Sequence, residues 1–217
     1  MLHIIIRKCI YQFVLNFTPY IKVIGIPANT TLQAANTNVM TILMGVIMAT
    51  TLSSLVLFDF TDNKDTSNWM VVNDGVMGGL SKGTFTAATN GTAVFKGTIS
   101  LENNGGFSSV RCNTGKIDVE GFTTLELHLK GDGKTYQVRI QENNSDYFSY
   151  IYTFQTSGEW ETVKIPLAEM YPSFRGRKLN LPNYSCKSMM ELTFLIGNSK
   201  AESFHLELRK ALLKQGT

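Results

Sequence analysis

The sequence predicts an all-β fold: one β-sandwich or jelly roll of about ten short strands. Three observations carry that expectation. Apolar and polar residues alternate with period two through much of the chain beyond residue 54. Eighteen glycines supply turn chemistry at short intervals, and 11% of residues are aromatic. No amphipathic helix longer than a turn or two can be drawn over residues 55–217. Hydrophobic residues make up 43% of the chain and charged residues 17%, the balance of a protein that buries a core.

The elements follow in order. Leu55–Phe60 and Trp69–Val72 open the domain as strands, and Gly83–Ala88, Thr92–Ile99 and Phe107–Arg111 follow between Gly- and Asn-rich turns. In Phe122–Lys130, Leu125, Leu127 and Leu129 share one face, while Glu126, His128 and Lys130 share the other. Tyr136, Val138 and Ile140 then alternate with Gln137, Arg139 and Gln141. The Gly131-Asp132-Gly133 turn between these two runs predicts a hairpin. Tyr147–Gln155 carries large groups on both faces, which predicts a central strand. Glu159–Ile165 is another strand, stopped by Pro166. Residues 166–182 contain three prolines and a glycine, which predicts one long connection without regular structure. Phe204, Leu206 and Leu208 alternate with His205, Glu207 and Arg209 in the last strand.

Charge divides the chain. Residues 1–57 hold Arg7, Lys8 and Lys22 and no acidic residue, so the formal net charge of +3 sits there. The rest is neutral, with no basic run to neutralise phosphates, which argues against a nucleic-acid-binding domain. Residues 1–54 are expected to be a leader, followed by one domain over 55–217. Val39–Phe58 is twenty residues without a charge, long enough to cross a bilayer, although Thr41, Thr50, Thr51, Ser53 and Ser54 dilute it. Three readings stay open: a signal or anchor, a start site at Met40, Met44 or Met48, or an integral part of the fold. The second implies a cytoplasmic protein and the first an exported or membrane-held one, with membrane contact only through the leader.

Candidate binding residues fall in three segments. Asn73, Asp74, Met77, Gly78, Gly79 and Ser81 form a Gly-rich loop after Trp69. Its side chains can accept sugar hydroxyls, with Trp69 as a stacking ring, or they close their own loop while Trp69 fills the core. Asn103, Asn104, Gly105 and Gly106 lead into a strand that places Phe107, Ser109 and Arg111 on one face. There Arg111 either clamps a ligand carboxylate or pairs with Glu102 or Asp74. Phe174, Arg175, Gly176 and Arg177, with Lys178, are the one basic concentration of the domain, suited to an acidic partner or simply solvated. Arg139, on the wet face of its strand near Tyr150 and Tyr152, adds to a polar-aromatic concave face, or forms a cross-strand pair.

Catalysis finds little support. His3, His128 and His205 are the only histidines, and no Cys or His pair has metal-ligand spacing. No P-loop, G-x-S-x-G or G-x-G-x-x-G is present, so no cofactor or metal is expected. A glycosidase would draw two facing carboxylates from Glu102, Asp118, Glu126 or Glu142. Cys112 and Cys186 either pair in an exported protein or stay free as small core residues.

The strings Trp69–Ser81, Phe95–Arg111 and Phe174–Arg177 together resemble the complex I intermediate-associated protein 30 family. The resemblance covers residues 57 to about 213. It implies a galactose-binding-like β-sandwich, a non-catalytic assembly role and protein partners among respiratory-complex subunits. It supplies no catalytic residue and no cofactor. The alternative from the fold type is a carbohydrate-binding module with a glycan as ligand.

Overall fold

The computed structural model describes residues 54–216, apart from the side chains of Val76 and Met77. Residues 1–53, and with them nearly all of the expected leader, lie outside the described residues.

The strands are β1 (Ser54–Asp59), β2 (Trp69–Asn73), β3 (Lys82–Ala87), β4 (Ala93–Ile99), β5 (Ser108–Asp118), β6 (Phe122–Lys130) and β7 (Thr135–Gln141). They continue with β8 (Ser149–Gln155), β9 (Trp160–Pro166), β10 (Tyr171–Phe174), β11 (Arg177–Lys178), β12 (Ser188–Ile196) and β13 (Glu202–Gln215). A six-stranded sheet has the order β3-β4-β13-β6-β9, with β1 also paired to β13. A seven-stranded sheet has the order β11-β10-β8-β7-β12-β5-β2. The two antiparallel sheets form the β-sandwich that the alternation predicts.

The core lies between the sheets. Leu125, Leu127 and Leu129 of β6 enter it from one side, and Tyr136, Val138 and Ile140 of β7 from the other. Burial of each leucine stabilises by about 2 kcal/mol. Cross-strand partners share a face, so Tyr150 and Tyr152, opposite Ile140 and Val138, also turn inward.

Three expectations need correction. β6 and β7 are not a hairpin: β6 pairs with β13 and β9, whereas β7 pairs with β8 and β12 in the other sheet. Gly131-Asp132-Gly133 is therefore a crossover between layers. A side chain at Gly131 would run into Thr156, which explains glycine at this corner. Asp132 fixes the corner by accepting from Tyr136 Oη at 2.9 Å, Lys134 Nζ at 2.6 Å and the His205 N–H at 3.0 Å.

Residues 166–182 are not irregular throughout, since they contain the β10–β11 hairpin. Pro172 fits because its carbonyl points away from β8 and accepts from Leu179 N–H at 2.9 Å. Its missing N–H faces that same side, beyond the end of β11. Arg175 and Gly176, with φ of 49° and 77°, make a two-residue turn of the I′ kind.

The third correction is β12, a central strand that the sequence does not announce. A register shift between Met189 and Glu191 interrupts its alternation. Cys112 and Cys186 are both free thiols.

Candidate functional site

The Gly-rich loop after β2 closes on itself. Asp74 is completely enclosed. Its carboxylate accepts from Ser81 N–H at 2.9 Å, Ser81 Oγ at 2.5 Å, Gly106 N–H at 2.6 Å and Phe107 N–H at 3.3 Å. Burial alone would raise its pKa. The Ser81 hydroxyl and the N–H groups of Gly106, Ser81 and Phe107 outweigh burial and hold it below the ordinary carboxylate range.

Asn73 works the same way, accepting from Gly83 N–H at 3.0 Å and Ser108 Oγ at 2.6 Å. Gly79 and Gly105 pack so close to Asp74 that a methyl group at either would collide with its side chain. Gly78 takes a φ of 90°. Asn103, itself at φ 54°, reaches across to donate to the Gly78 carbonyl at 3.1 Å, and Asn104 follows at φ 58°. These residues form a knot that ties two loops together, with the side chains of Asn73, Asp74 and Ser81 used up inside it. The side chain of Met77 lies outside the described residues.

Trp69 is half-buried in an aromatic cluster. Its ring lies 4.7 Å from Phe85, 5.1 Å from Phe58 and 5.7 Å from Phe60. Tyr152 faces the core with Tyr150. Neither Trp69 nor the two tyrosines joins the polar face that holds Arg139, so the expected polar-aromatic surface is built differently.

That surface is a groove of about 580 Å³ on the outer face of the seven-stranded sheet. It gathers Gly106, Phe107, Ser109 and Arg111 from the second sequence segment, Phe174, Arg175 and Gly176 from the third, and Arg139 from β7. The knot contributes indirectly, because Asp74 fixes Gly106 and Phe107 at one end of the groove.

The floor is a set of rows running across β5, β12 and β7. Ser109, Leu195 and Gln137 make one row. Arg111, Thr193 and Arg139 make the next, which continues to Met70 on β2 and Ile151 on β8. Asn113, Glu191 and Gln141 make the third.

Arg111 does not pair with Glu102 or Asp74. Alternation turns it onto the groove face, where its Nη1 is 4.0 Å from Glu191 Oε1. Glu191 is also held by Thr193 Oγ1 at 2.9 Å. Arg139 donates through Nε at 3.2 Å and Nη2 at 2.7 Å to Gln137 Oε1. Burial, and then the Arg111 charge, pull its pKa below the usual guanidinium range, although it stays charged at neutral pH.

One wall is aromatic. Tyr147 is 65% exposed and Phe174 is 37% exposed, and their rings meet edge to face at 5.4 Å. The β10–β11 turn carries Arg175 over the Phe174 ring at 5.2 Å. Arg177 is exposed and does not line the groove. The sequence did not single out Tyr147, Thr193, Glu191, Gln137 or Gln141 as site residues. For Gln137 and Gln141 the signal was there, since both alternate with Arg139 on the wet face.

The carboxylates proposed for hydrolysis are elsewhere. Glu126 pairs with Lys164 at 3.6 Å on the six-stranded sheet, and Glu142 accepts from Ser185 Oγ at 2.8 Å. Among the described residues no three His, Cys, Asp or Glu side chains gather as a metal site.

Comparison with known proteins bears on this architecture. The profile of the family described as "Complex I intermediate-associated protein 30 (CIA30)" matches residues 58–208. The chain is 26% identical to "Complex I intermediate-associated protein 30, mitochondrial" of Mus musculus, over 56% of this chain and 44% of that protein. It thus spans less than half of that relative's length. Among solved structures, a family 11 carbohydrate-binding module from Clostridium thermocellum, in complex with a mixed-linked tetrasaccharide, superposes with a TM-score of 0.56. The identity is 13%, and the superposition covers 77% of this chain and 98% of the module. An agarase, AgWH50C, matches at TM-score 0.53 and 12% identity over 76% of this chain and 25% of its own. At such identities these likenesses speak for the fold alone.

Proposed function

Since the chain belongs to the complex I intermediate-associated protein 30 family, we propose that its domain is a non-catalytic assembly factor for a respiratory complex. The groove on the seven-stranded sheet is where it takes hold of a protein partner. One observation carries this reading: the groove is open and brings Arg111, Arg139 and Arg175 together with exposed Tyr147 and Phe174. Arg and Tyr are the side chains that anchor protein interfaces, because each offers a large contact area with directed hydrogen bonds. The groove carboxylates support a binding role, being already engaged: Glu191 by Thr193, and Asp146 by the Asn143 N–H at 3.0 Å.

The test is a photo-crosslinking amino acid placed at Tyr147 in the full chain. It is expected to capture respiratory-complex subunits, whereas the same group at His205, exposed on the other sheet, captures none. Capture at His205 but not at Tyr147 sinks the assignment of the groove.

A carbohydrate-binding role is the second reading. The Tyr147–Phe174 pair supports it, since exposed rings on a rim can stack on sugars. A glycan array decides between the two. Binding that disappears in Tyr147→Ala would favour a sugar ligand.

A further inference from the structure

We propose that Arg111 and Arg139 form a clamp for the side-chain carboxylate of an acidic peptide segment lying across β5, β12 and β7. This rests on the groove being the partner-binding face.

The two arginines stand in one cross-strand row, with Thr193 between them. Two strand spacings put their Cα atoms about 10 Å apart. Guanidinium groups on that spacing, on one face, can converge on a single planar anion.

The hydrogen-bond inventory leaves the anion's place open. Arg139 donates to Gln137 alone among the described residues, which leaves three of its five N–H groups without an acceptor. The Nε of Arg111 is shut off from solvent and has no acceptor among the described residues. That nitrogen is beyond a ligand's reach as well, but the Arg111 side chain is 40% exposed and its Nη1, 4.0 Å from Glu191 Oε1, is outside hydrogen-bond range of that carboxylate. Like charges side by side cost stability. One carboxylate set between the solvent-accessible guanidinium nitrogens would offset that cost. Charge points the same way: Arg111, Arg139 and Arg175 line the groove against Asp146 and Glu191, within a neutral domain.

The shape selects among anions. A lone phosphate would leave most of a cavity of about 580 Å³ empty. A sugar acid would want an aromatic ring on the floor. The strand residues of the floor offer none: Leu195, Ser109, Gln137, Gln141, Thr193 and Glu191 surround the arginines instead. A polar floor broken by Leu195, the Tyr147–Phe174 wall and the side chains of Gln137 and Thr193 fit a peptide, with one carboxylate in the clamp and its neighbours along the strands.

The probe is a fluorescein-labelled hexaglutamate peptide, titrated by anisotropy against the full chain. Every variant carries the same basic residues in 1–53, so their contribution is constant. Wild type should bind with an affinity that falls with salt. Arg111→Gln and Arg139→Gln should each weaken binding at least tenfold, while Arg177→Gln, outside the groove, stays within twofold. Arg139→Lys keeps the charge but loses the planar fork, and should also weaken binding. Protection of Arg111 and Arg139 from phenylglyoxal by the peptide, read by mass spectrometry on wild type, gives an answer even if a variant misfolds.

No binding, equal losses in all three glutamine variants, or no protection overturns the clamp. An oligogalacturonate that binds tighter than hexaglutamate, and is lost in the same variants, overturns the peptide in favour of an acidic glycan. The two proposals can fail separately. Crosslinking at Tyr147 that persists in the Arg111→Gln/Arg139→Gln double variant sinks the clamp and leaves the assembly role standing. A working clamp with no subunit captured at Tyr147 does the reverse.

Discussion

Asp74 Oδ2 accepts the backbone N–H of Gly106 at 2.6 Å, across 32 residues of chain. That bond joins the two Gly-rich strings and sets one end of the groove.

Loss of this carboxylate should be costly. Asp74→Ala leaves the Ser81, Gly106 and Phe107 donors enclosed without an acceptor, so unfolding free energy should drop by about 3 kcal/mol or more. The pH dependence has a definite sign. The native pKa is lowered, so the contribution is complete above the unfolded value of about 3.9 and is lost as pH falls through the native one. Urea midpoints measured from pH 7 down to pH 2.5 should fall in acid more steeply for wild type than for Asp74→Asn.

Gly79 and Gly105 should behave as partners of Asp74 rather than as free turn residues. Gly79→Ala drives its methyl group into the Asp74 side chain and should cost about 2 kcal/mol or more. In an Asp74→Gly background the same substitution should cost under about 1 kcal/mol, because the collision is gone. Additive losses would mean that Gly79 is constrained by something else.

Trp69→Ala should destabilise the fold by about 3 kcal/mol through lost contacts with Phe58, Phe60 and Phe85. Trp69→Phe should cost about 1 kcal/mol. Neither should change hexaglutamate affinity at temperatures where the protein is folded, as titration beside a melting curve will show.

Thiol chemistry separates the two cysteines. Burial, helped by the Glu191 charge, pushes the Cys112 thiol up to about 12. In a Cys9→Ser chain, iodoacetamide should label Cys186 first and reach Cys112 only on unfolding. Because both thiols are free, dithiothreitol should leave the melting temperature unchanged.

Much of this fold was legible because burial writes itself as alternation. β6 could be read from Leu125, Leu127 and Leu129, one face wet and the other buried. The same signal could not say where β6 would pair. A Gly-Asp-Gly turn suits a hairpin and a crossover equally, and only the contest among distant partners decides. β12 escaped notice because the irregularity after Met189 shifts the phase of its pattern. That omission hid the site. Arg111 and Arg139 were each visible as polar residues on a wet face, but the strand between them, with Thr193 and Glu191, is what makes them neighbours. In the Asn-Asp-Gly string the residue types were plain. Their direction was not, because hydrogen bonds inward to Ser81 and Gly106 and outward to a ligand use the same atoms.

β13 lies in the middle of the six-stranded sheet, bonded to β4 and β1 along one edge and to β6 along the other. On the ribosome, that sheet cannot close until synthesis has passed Gln215. Until then β4 and β6 wait with open edges and with Phe95, Leu125 and Leu127 uncovered, a state prone to pair with other chains. The closure of this sheet, and the protection of those edges from other chains, therefore waits on its last strand in sequence.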